Sequence, residues 1–252
     1  MPKAERTLRV ETIVLHHTNW GEADRLLSIF TKSHGKLRAI AKSVRKMKSR
    51  KAGHLEPFSH CTLMLAKAHD FWIVTDAETI DAFTPLREDL QLMTHASYVI
   101  ELLDRFTFEE GQNWQLYQLV VDSLKHLSEA ADPYVPLRFY EMRLLDLVGF
   151  RPMLFECAKC RKEIIAEDQF FSAEQGGVLC PNCGSRSDNS RLISVDALRF
   201  MRHFQRSDYK TALKASLPQK IRDEVDGLMN HYLTYLLERK LNTPEFLKQI
   251  QS

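Results

Sequence analysis

Four of the five cysteines in this 252-residue chain fall into two pairs, Cys157-Ala158-Lys159-Cys160 and Cys180-Pro181-Asn182-Cys183, separated by nineteen residues. No other feature of the sequence restricts the fold so tightly. Two residues between thiolates let both sulfurs reach one ion at about 2.3 Å, and two such pairs complete a tetrahedron. The spacing predicts that Cys157, Cys160, Cys180 and Cys183 bind one zinc ion. With every position taken by thiolate, no place is left for an activated water, so a structural role is expected. Gly184, directly after the second pair, is expected to permit the tight turn there. An iron–sulfur cluster uses the same ligands and stays open as an alternative. Disulfides would need an oxidising compartment, which nothing in the sequence supports. Met1-Pro2-Lys3-Ala4-Glu5-Arg6 lacks a signal peptide's apolar core, and no segment approaches the roughly 18 apolar residues of a membrane span. A cytoplasmic protein with no membrane partner is therefore expected. Cys61 alternates with apolar residues and is read as a small buried hydrophobe.

Charge supplies the second constraint. The net charge of +2 hides a segment between Asp24 and Glu56 that holds ten of the 35 basic residues and no acid. A charge run is ordinarily a solvated surface. This one is long, lies around and beyond a predicted strand with aromatics nearby (Trp20, Phe30, Phe58), and ends in a polar loop over residues 42–53. It points to a polyanionic partner, with Lys36, Arg38, Lys42, Arg45, Lys46, Lys48, Arg50 and Lys51 as the candidate nucleic-acid contacts. Six such contacts to single-stranded phosphates would give log K a slope near −4 against log salt, by order of magnitude. Trp20 and Phe30 are read as core residues in preference to stacking platforms.

Periodicity divides the chain. Residues 9–17, 25–31, 36–44, 61–68 and 71–83 read as five short strands, separated by the turn signals Asn19-Trp20-Gly21, Ser33-His34-Gly35 and His69-Asp70. Five strands in such a length suggest a small closed sheet, for which the OB barrel is the natural candidate. Beyond Thr84-Pro85 the period becomes helical. Leu90, Met93, Ser97, Ile100 and Leu103 form one stripe, and Asn113 can cap a second helix carrying Leu116, Val120 and Leu124. Leu137, Tyr140, Leu144 and Val148 stripe a third, which Gly149 and Pro152 should stop. Ser194 looks like the cap of a fourth, and a long last helix from about Ile221 is expected to end near Asn242-Thr243-Pro244. The expected fold is α+β: an N-terminal five-stranded OB-type barrel (1–83), then a helical domain (84–152 and 193–252) interrupted by a four-cysteine zinc insert (153–192). With 44% hydrophobic residues, the chain has enough apolar side chains for a sizeable core.

Catalytic signatures are missing. There is no Gly-x-x-x-x-Gly-Lys loop, Gly-x-Gly-x-x-Gly, His-Glu-x-x-His or Gly-x-Ser-x-Gly, and no His-x-Glu precedes the cysteines as in zinc deaminases. Glu109-Glu110 reads as a solvated helix end, and His16-His17 would point to opposite strand faces. No enzymatic activity is expected.

Several stretches, in order, resemble one family. Gly21-Glu22-Ala23-Asp24-Arg25-Leu26-Leu27 with Phe30-Thr31 comes first, followed by Gly35-Lys36, Val44-Arg45-Lys46, Lys48-Ser49-Arg50 and Glu56-Pro57-Phe58. Phe139-Tyr140-Glu141 through Leu147-Val148-Gly149-Phe150-Arg151-Pro152 then runs into the first cysteine pair. Together they resemble the zinc-bearing branch of the RecO family of bacterial DNA repair and recombination mediators. One departure is Ser43, where that family commonly has glycine, so a loop needing positive φ there would be strained. The resemblance implies an OB fold, a helical domain and a zinc insert. It implies ATP-independent binding of single- and double-stranded DNA, annealing of complementary strands, and work with RecR. It also implies contact with the C-terminal tail of single-strand binding protein, indirect partnership with RecA recombinase, and association with the nucleoid. An acidic tail should prefer an apolar pocket rimmed by bases, for which Arg138, Arg143, Arg199, Arg202 and Arg206 are available. Two other classes compete: a zinc-ribbon, transcription-associated protein that binds duplex DNA, and a metal-dependent nuclease.

Overall fold

A computed structural model describes residues 6–69, 71–109 and 111–237. The expected end of the last helix near Asn242-Thr243-Pro244 lies outside the described residues, as do Asp70 of the His69-Asp70 break and Glu110 of the acidic pair. The chain divides into two compact units, 1–131 and 132–252.

The first unit is built on a closed barrel. Strands β1 (Thr7–Trp20), β2 (Asp24–Thr31), β3 (Gly35–Ala41), β4 (His60–Ala68) and β5 (Phe71–Asp81) follow the order β1-β2-β3-β5-β4. All pairs are antiparallel except β3–β5, and β1–β4 closes the cylinder. Five strands need alternating inward residues to fill so small a barrel, and the sequence supplies them. Val10, Val14, Leu27, Ile29, Cys61, Leu63, Leu65 and Val74 form the interior, each at most 1% exposed. Burial pushes the Cys61 thiol up to about 12, so it packs as an apolar side chain.

Two strands depart from the pattern of their sequence. Alternation along β1 would put His16 on the inner face with Val14, but the β1–β2 register shifts between these residues and His16 turns out to solvent. The extra residue is Leu15, which is buried. At this bulge Phe58 N–H donates to Val14 O at 2.9 Å and Val14 N–H to Ser59 O at 3.0 Å. Strand β3 stops at Ala41 rather than continuing to Val44, because Ser43 takes φ of +56° and turns the chain.

Helices α1 (Pro85–Glu88), α2 (Leu90–Phe106) and α3 (Trp114–Glu129) complete this unit. Ile13 and Phe30 are fully buried on the face opposite Val14 and Ile29, and α2 contacts β1. The caps are local: Asp89 Oδ1 accepts from Leu92 N–H, and Asn113 Oδ1 from Leu116 N–H at 3.0 Å. Helix α3 is also tied to the barrel by Tyr117, whose hydroxyl meets His60 Nε2 at 3.0 Å and donates to Glu11 Oε1 at 3.3 Å.

The second unit contains α4 (Tyr134–Leu147), β6 (Gln169–Ser172), β7 (Gly177–Leu179), α5 (Pro181–Gly184), β8 (Ser190–Ile193), α6 (Val195–Arg206), α7 (Tyr209–Ala212) and α8 (Gln219–Leu236). Helix α4 ends as its sequence predicts: Gly149 takes φ of +84°, and Phe150 N–H reaches back to Leu145 O at 2.8 Å. Ser194 caps α6 through Ala197 N–H. Tyr140, Leu144, Leu198, Met201, Phe204, Val225 and Leu233 are buried in this unit. The three short strands make a sheet of order β7-β6-β8.

Candidate nucleic-acid interface and metal site

The eight candidate cations do not form one free surface. Lys36 is only 14% exposed in its side chain. Its ammonium lies 2.7 Å from Asp104 Oδ1 and donates to Asp104 O and Thr107 O, so it caps the end of α2. Arg38 pairs with Glu109 at 2.7 Å, with both side chains exposed. Lys51 Nζ donates to Val74 O at 2.8 Å. Arg45 donates from its guanidinium to Gly21 O and Glu22 O, and from its backbone to Ala23 O. Lys42, Lys46, Lys48 and Arg50 are exposed, and their side chains make no ion pair or hydrogen bond among the described residues, although the Lys46 backbone bonds Ser43 O and Ser49 N–H within the loop.

Anchors explain how the loop presents the last three of them. At its start, Ser43 N–H donates to Asp24 Oδ1 at 2.6 Å, Val44 is 1% exposed, and Arg45 is fastened to the β1–β2 turn. At its end, a single 3-10 turn over Ala52–Leu55 lies against β5, with Leu55 fully buried and His54 Nδ1 at 2.6 Å from Thr79 Oγ1. Residues 46–50 project between these two fixed points, and Met47 is fully exposed among them. The positive φ at Ser43 costs about 1 kcal/mol for a residue with a Cβ, and the Asp24 bond and buried Val44 hold it in place.

Lys36 therefore acts on stability. Burial raises the Asp104 carboxyl, but hydrogen bonds and charge from His16 and Lys36 outweigh it and hold the group at about 2. A depressed carboxyl contributes stability above its unfolded value near 3.8 and loses it as pH falls toward 2. Lys36→Met should cost on the order of 2 kcal/mol at pH 7. Urea unfolding should show the gap from the unaltered protein closing as pH drops from 4 to about 2.5. A gap of the same size at both ends of that range would contradict the assignment.

Of the two aromatics weighed in the sequence, Phe30 is fully buried and serves as core. Trp20, at the end of β1, is 47% exposed.

The four paired cysteines come together. Their sulfurs all lie within 4.8 Å of one another, and Cys160 Sγ and Cys180 Sγ are 3.8 Å apart. A tetrahedron with ligand bonds of about 2.3 Å has edges of about 3.8 Å, so the group can close on one metal ion. Cys157 is buried, and burial alone would raise its thiol. N–H groups of Cys160 and Cys180, pointing at its sulfur from 3.5 and 3.4 Å, reverse that and bring it down to about 6. Hydrogen bonding with the Cys180 sulfur, above all, pushes Cys183 up to about 12; a bound cation would favour the thiolate instead.

The two knuckles turn differently from the sequence expectation. The left-handed residue is Arg161, after the first pair, at φ of +64°. Gly184 is needed for close approach instead: a Cβ there would stand 2.3 Å from the Phe170 ring.

The five basic residues considered for an acidic tail also separate. Arg138 is held by Glu141 at 2.8 Å and by Asp226, and Arg143 donates to Ser207 O. Arg199, Arg202 and Arg206 line a cavity of about 700 Å³ together with Phe155, Arg161 and Ile164. Arg202 and Arg206 lie over the Phe155 ring, 5.0 and 3.7 Å from its centre, and Arg202 is pinned by Leu154 O and Ile164 O. Phe155 and Arg161 carried no sequence signal of this role beyond flanking the first cysteine pair. No helix among the described residues is long and apolar enough to cross a membrane.

An OB-type barrel with an anchored cationic loop, followed by a helical unit with a four-cysteine knuckle, defines a class of α+β protein. The family described as Recombination protein O N terminal matches residues 6–83, and that described as Recombination protein O C terminal matches residues 87–245. The chain is 35% identical to the DNA repair protein RecO of Roseiflexus sp. over 98% of its own length and 87% of the relative's. It is 34% identical to that of Dehalococcoides mccartyi over 92% and 91%, and 30% identical to that of Bacillus pumilus over 97% and 95%. The chain belongs to the RecO family and has a role in DNA repair and recombination.

Proposed function

We propose that this chain is a recombination mediator that binds single- and double-stranded DNA, anneals complementary strands without ATP, and helps load RecA recombinase onto DNA covered by single-strand binding protein. The observation that carries this reading is the loop over residues 42–53, in which Lys46, Lys48 and Arg50 project between two fixed ends with Lys42 just before the first, all four side chains without an ion pair or hydrogen bond among the described residues. Lys42, Lys46, Lys48 and Arg50 would neutralise phosphates as counterions leave. With backbone repulsion reduced, complementary bases can meet. No covalent bond changes in such a process, so no catalytic residue is assigned.

In this reading, residues 1–83 form the nucleic-acid domain and 153–192 the zinc insert, while 84–152 and 193–252 form a helical frame, of which 84–131 lies in the barrel's compact unit. Cys157, Cys160, Cys180 and Cys183 hold structural Zn²⁺, since an all-thiolate tetrahedron suits zinc and leaves no open position. RecR is a partner, and the protein works in the cytoplasm at the nucleoid. The acidic C-terminal tail of single-strand binding protein is assigned to the cavity lined by Arg161, Arg199, Arg202 and Arg206, where Phe155 and Ile164 are the apolar members and Glu156 and Glu163 the acidic ones.

Annealing of complementary oligonucleotides, bare or coated with single-strand binding protein and without ATP, tests the whole reading. Both should anneal faster with the protein present. Arg202→Glu/Arg206→Glu should slow the coated reaction about tenfold or more and leave the bare one nearly unchanged, because a lost charge-assisted contact costs roughly 1.5–3 kcal/mol. No acceleration of bare strands would sink the mediator role, and equal slowing of both arms would sink the tail assignment.

A further inference from the structure

We propose that Trp20 is a base-stacking platform for the single strand that the cationic loop binds. This rests on the nucleic-acid reading above and names the group that would contact bases rather than phosphates.

Tryptophan is on average among the more buried side chains, yet Trp20 stands 47% exposed at the last position of β1, paired across the strand with Asp24. Among the described residues no cationic group lies over its ring. The turn it opens is the one to which the cationic loop is fastened. Arg45 donates to Gly21 O and Glu22 O at 3.4 and 3.2 Å and, from its backbone, to Ala23 O at 2.9 Å; Ser43 N–H donates to Asp24 Oδ1. Trp20 thus opens the turn to which Ser43 and Arg45 are fastened, with Lys42 and Lys46 immediately flanking those residues. Among the described residues of this turn, Glu22 carries the one carboxylate with no hydrogen bond or ion pair. The other carboxylate, Asp24, is engaged by the loop itself.

Aromatic faces and phosphate-neutralising cations are the two components of sequence-tolerant single-strand binding. Without Phe30, which is buried, Trp20 is the remaining member of the pair the sequence singled out. Met47, fully exposed in the same loop, adds a second apolar surface beside the cations. Stacking and charge make different contributions, and salt separates them. Counterion release sets the slope of log K against log salt, whereas stacking shifts log K by a constant.

Trp20, Trp72 and Trp114 are the three tryptophans of the chain, so Trp72→Phe/Trp114→Phe leaves Trp20 as sole reporter. Titration of that variant with oligothymidylate at low salt should quench its fluorescence on binding. In the otherwise unaltered chain, Trp20→Ala should weaken binding about 5- to 150-fold at every salt concentration without changing the slope. Trp20→Phe should recover most of the loss. The inference fails if the oligonucleotide binds in a manner abolished by reversing the loop charges, yet Trp20 is not quenched and Trp20→Ala binds as before. If the double variant does not fold, the affinities of Trp20→Ala and Trp20→Phe decide alone. Absence of binding by the unaltered protein would end the nucleic-acid reading itself.

Discussion

Stripping the metal should unfold the cysteine insert and lower the thermal midpoint of the second unit by roughly 10 °C or more. A ligand present at about 1,000 times its dissociation constant stabilises the folded state by about 4 kcal/mol. In a chain of this size each kcal/mol moves the midpoint by roughly 2–4 °C. Structural zinc sites reach about 10–16 kcal/mol in isolated peptides, so the estimate is a lower one. The dependence is strong here because β6, β7 and β8 are only three or four residues long. The buried apolar side chains of 153–192 besides Cys157 (Leu154, Ile164, Phe171, Ala173, Val178 and Leu179) are too few to order it alone. Cys157→Ser should reproduce the chelator's effect, since it removes the buried sulfur that two backbone N–H groups address. Gly184→Ala should weaken the site by another route, by driving a methyl group into the Phe170 ring. Elemental analysis should find one zinc per chain and no iron. Iron with sulfide would replace the zinc assignment by a cluster, and a chelator-insensitive midpoint would remove the structural role.

What the sequence reveals and what it hides follows the range of the interactions. Strands and caps are local, so the alternation around Val10 and Val14, the caps Asn113 and Ser194, and the stop at Gly149 were all readable. The four cysteines were readable because metal geometry restricts spacing so severely. The bulge at Leu15 was not, since it depends on Phe58 and Ser59 arriving from more than forty residues away. The cations show the same division. Charge type is written in the chain, but the partner is not: Asp104, near the end of α2, and Glu109, just beyond it, lie some seventy residues past Lys36 and Arg38, and no local pattern announces where that stretch docks. Ser43 is the instructive middle case. The expectation that a positive φ there would strain a non-glycine residue was sound, and the structure adopts that φ regardless, because Asp24 and buried Val44 fix the chain on both sides.

Lys46→Glu/Lys48→Glu/Arg50→Glu should abolish annealing and weaken single-strand binding by about 100-fold or more at 0.1 M salt. Each phosphate contact adds about 0.7 to the slope of log K against log salt for a single strand, so at 0.1 M three contacts account for about two log units. Reversal of sign adds repulsion to that loss. The unaltered protein, with Lys42, Lys46, Lys48 and Arg50 as its free loop cations, should show a slope near −3, and the triple variant near −1 or weaker. Arg45 is left out deliberately. Its bonds to Gly21 O, Glu22 O and Ala23 O fasten the loop, so replacing it would confound lost charge with lost structure. The three chosen side chains are exposed and make no hydrogen bond or ion pair with a described residue, so the variant should unfold at the same urea concentration as the unaltered protein, to within about 0.5 kcal/mol. A folded triple variant that still anneals at the original rate would show that the barrel loop is not the surface on which the strands meet. If the slope stayed near −3 despite the loss of three cations, the phosphates would have to be neutralised elsewhere on the molecule.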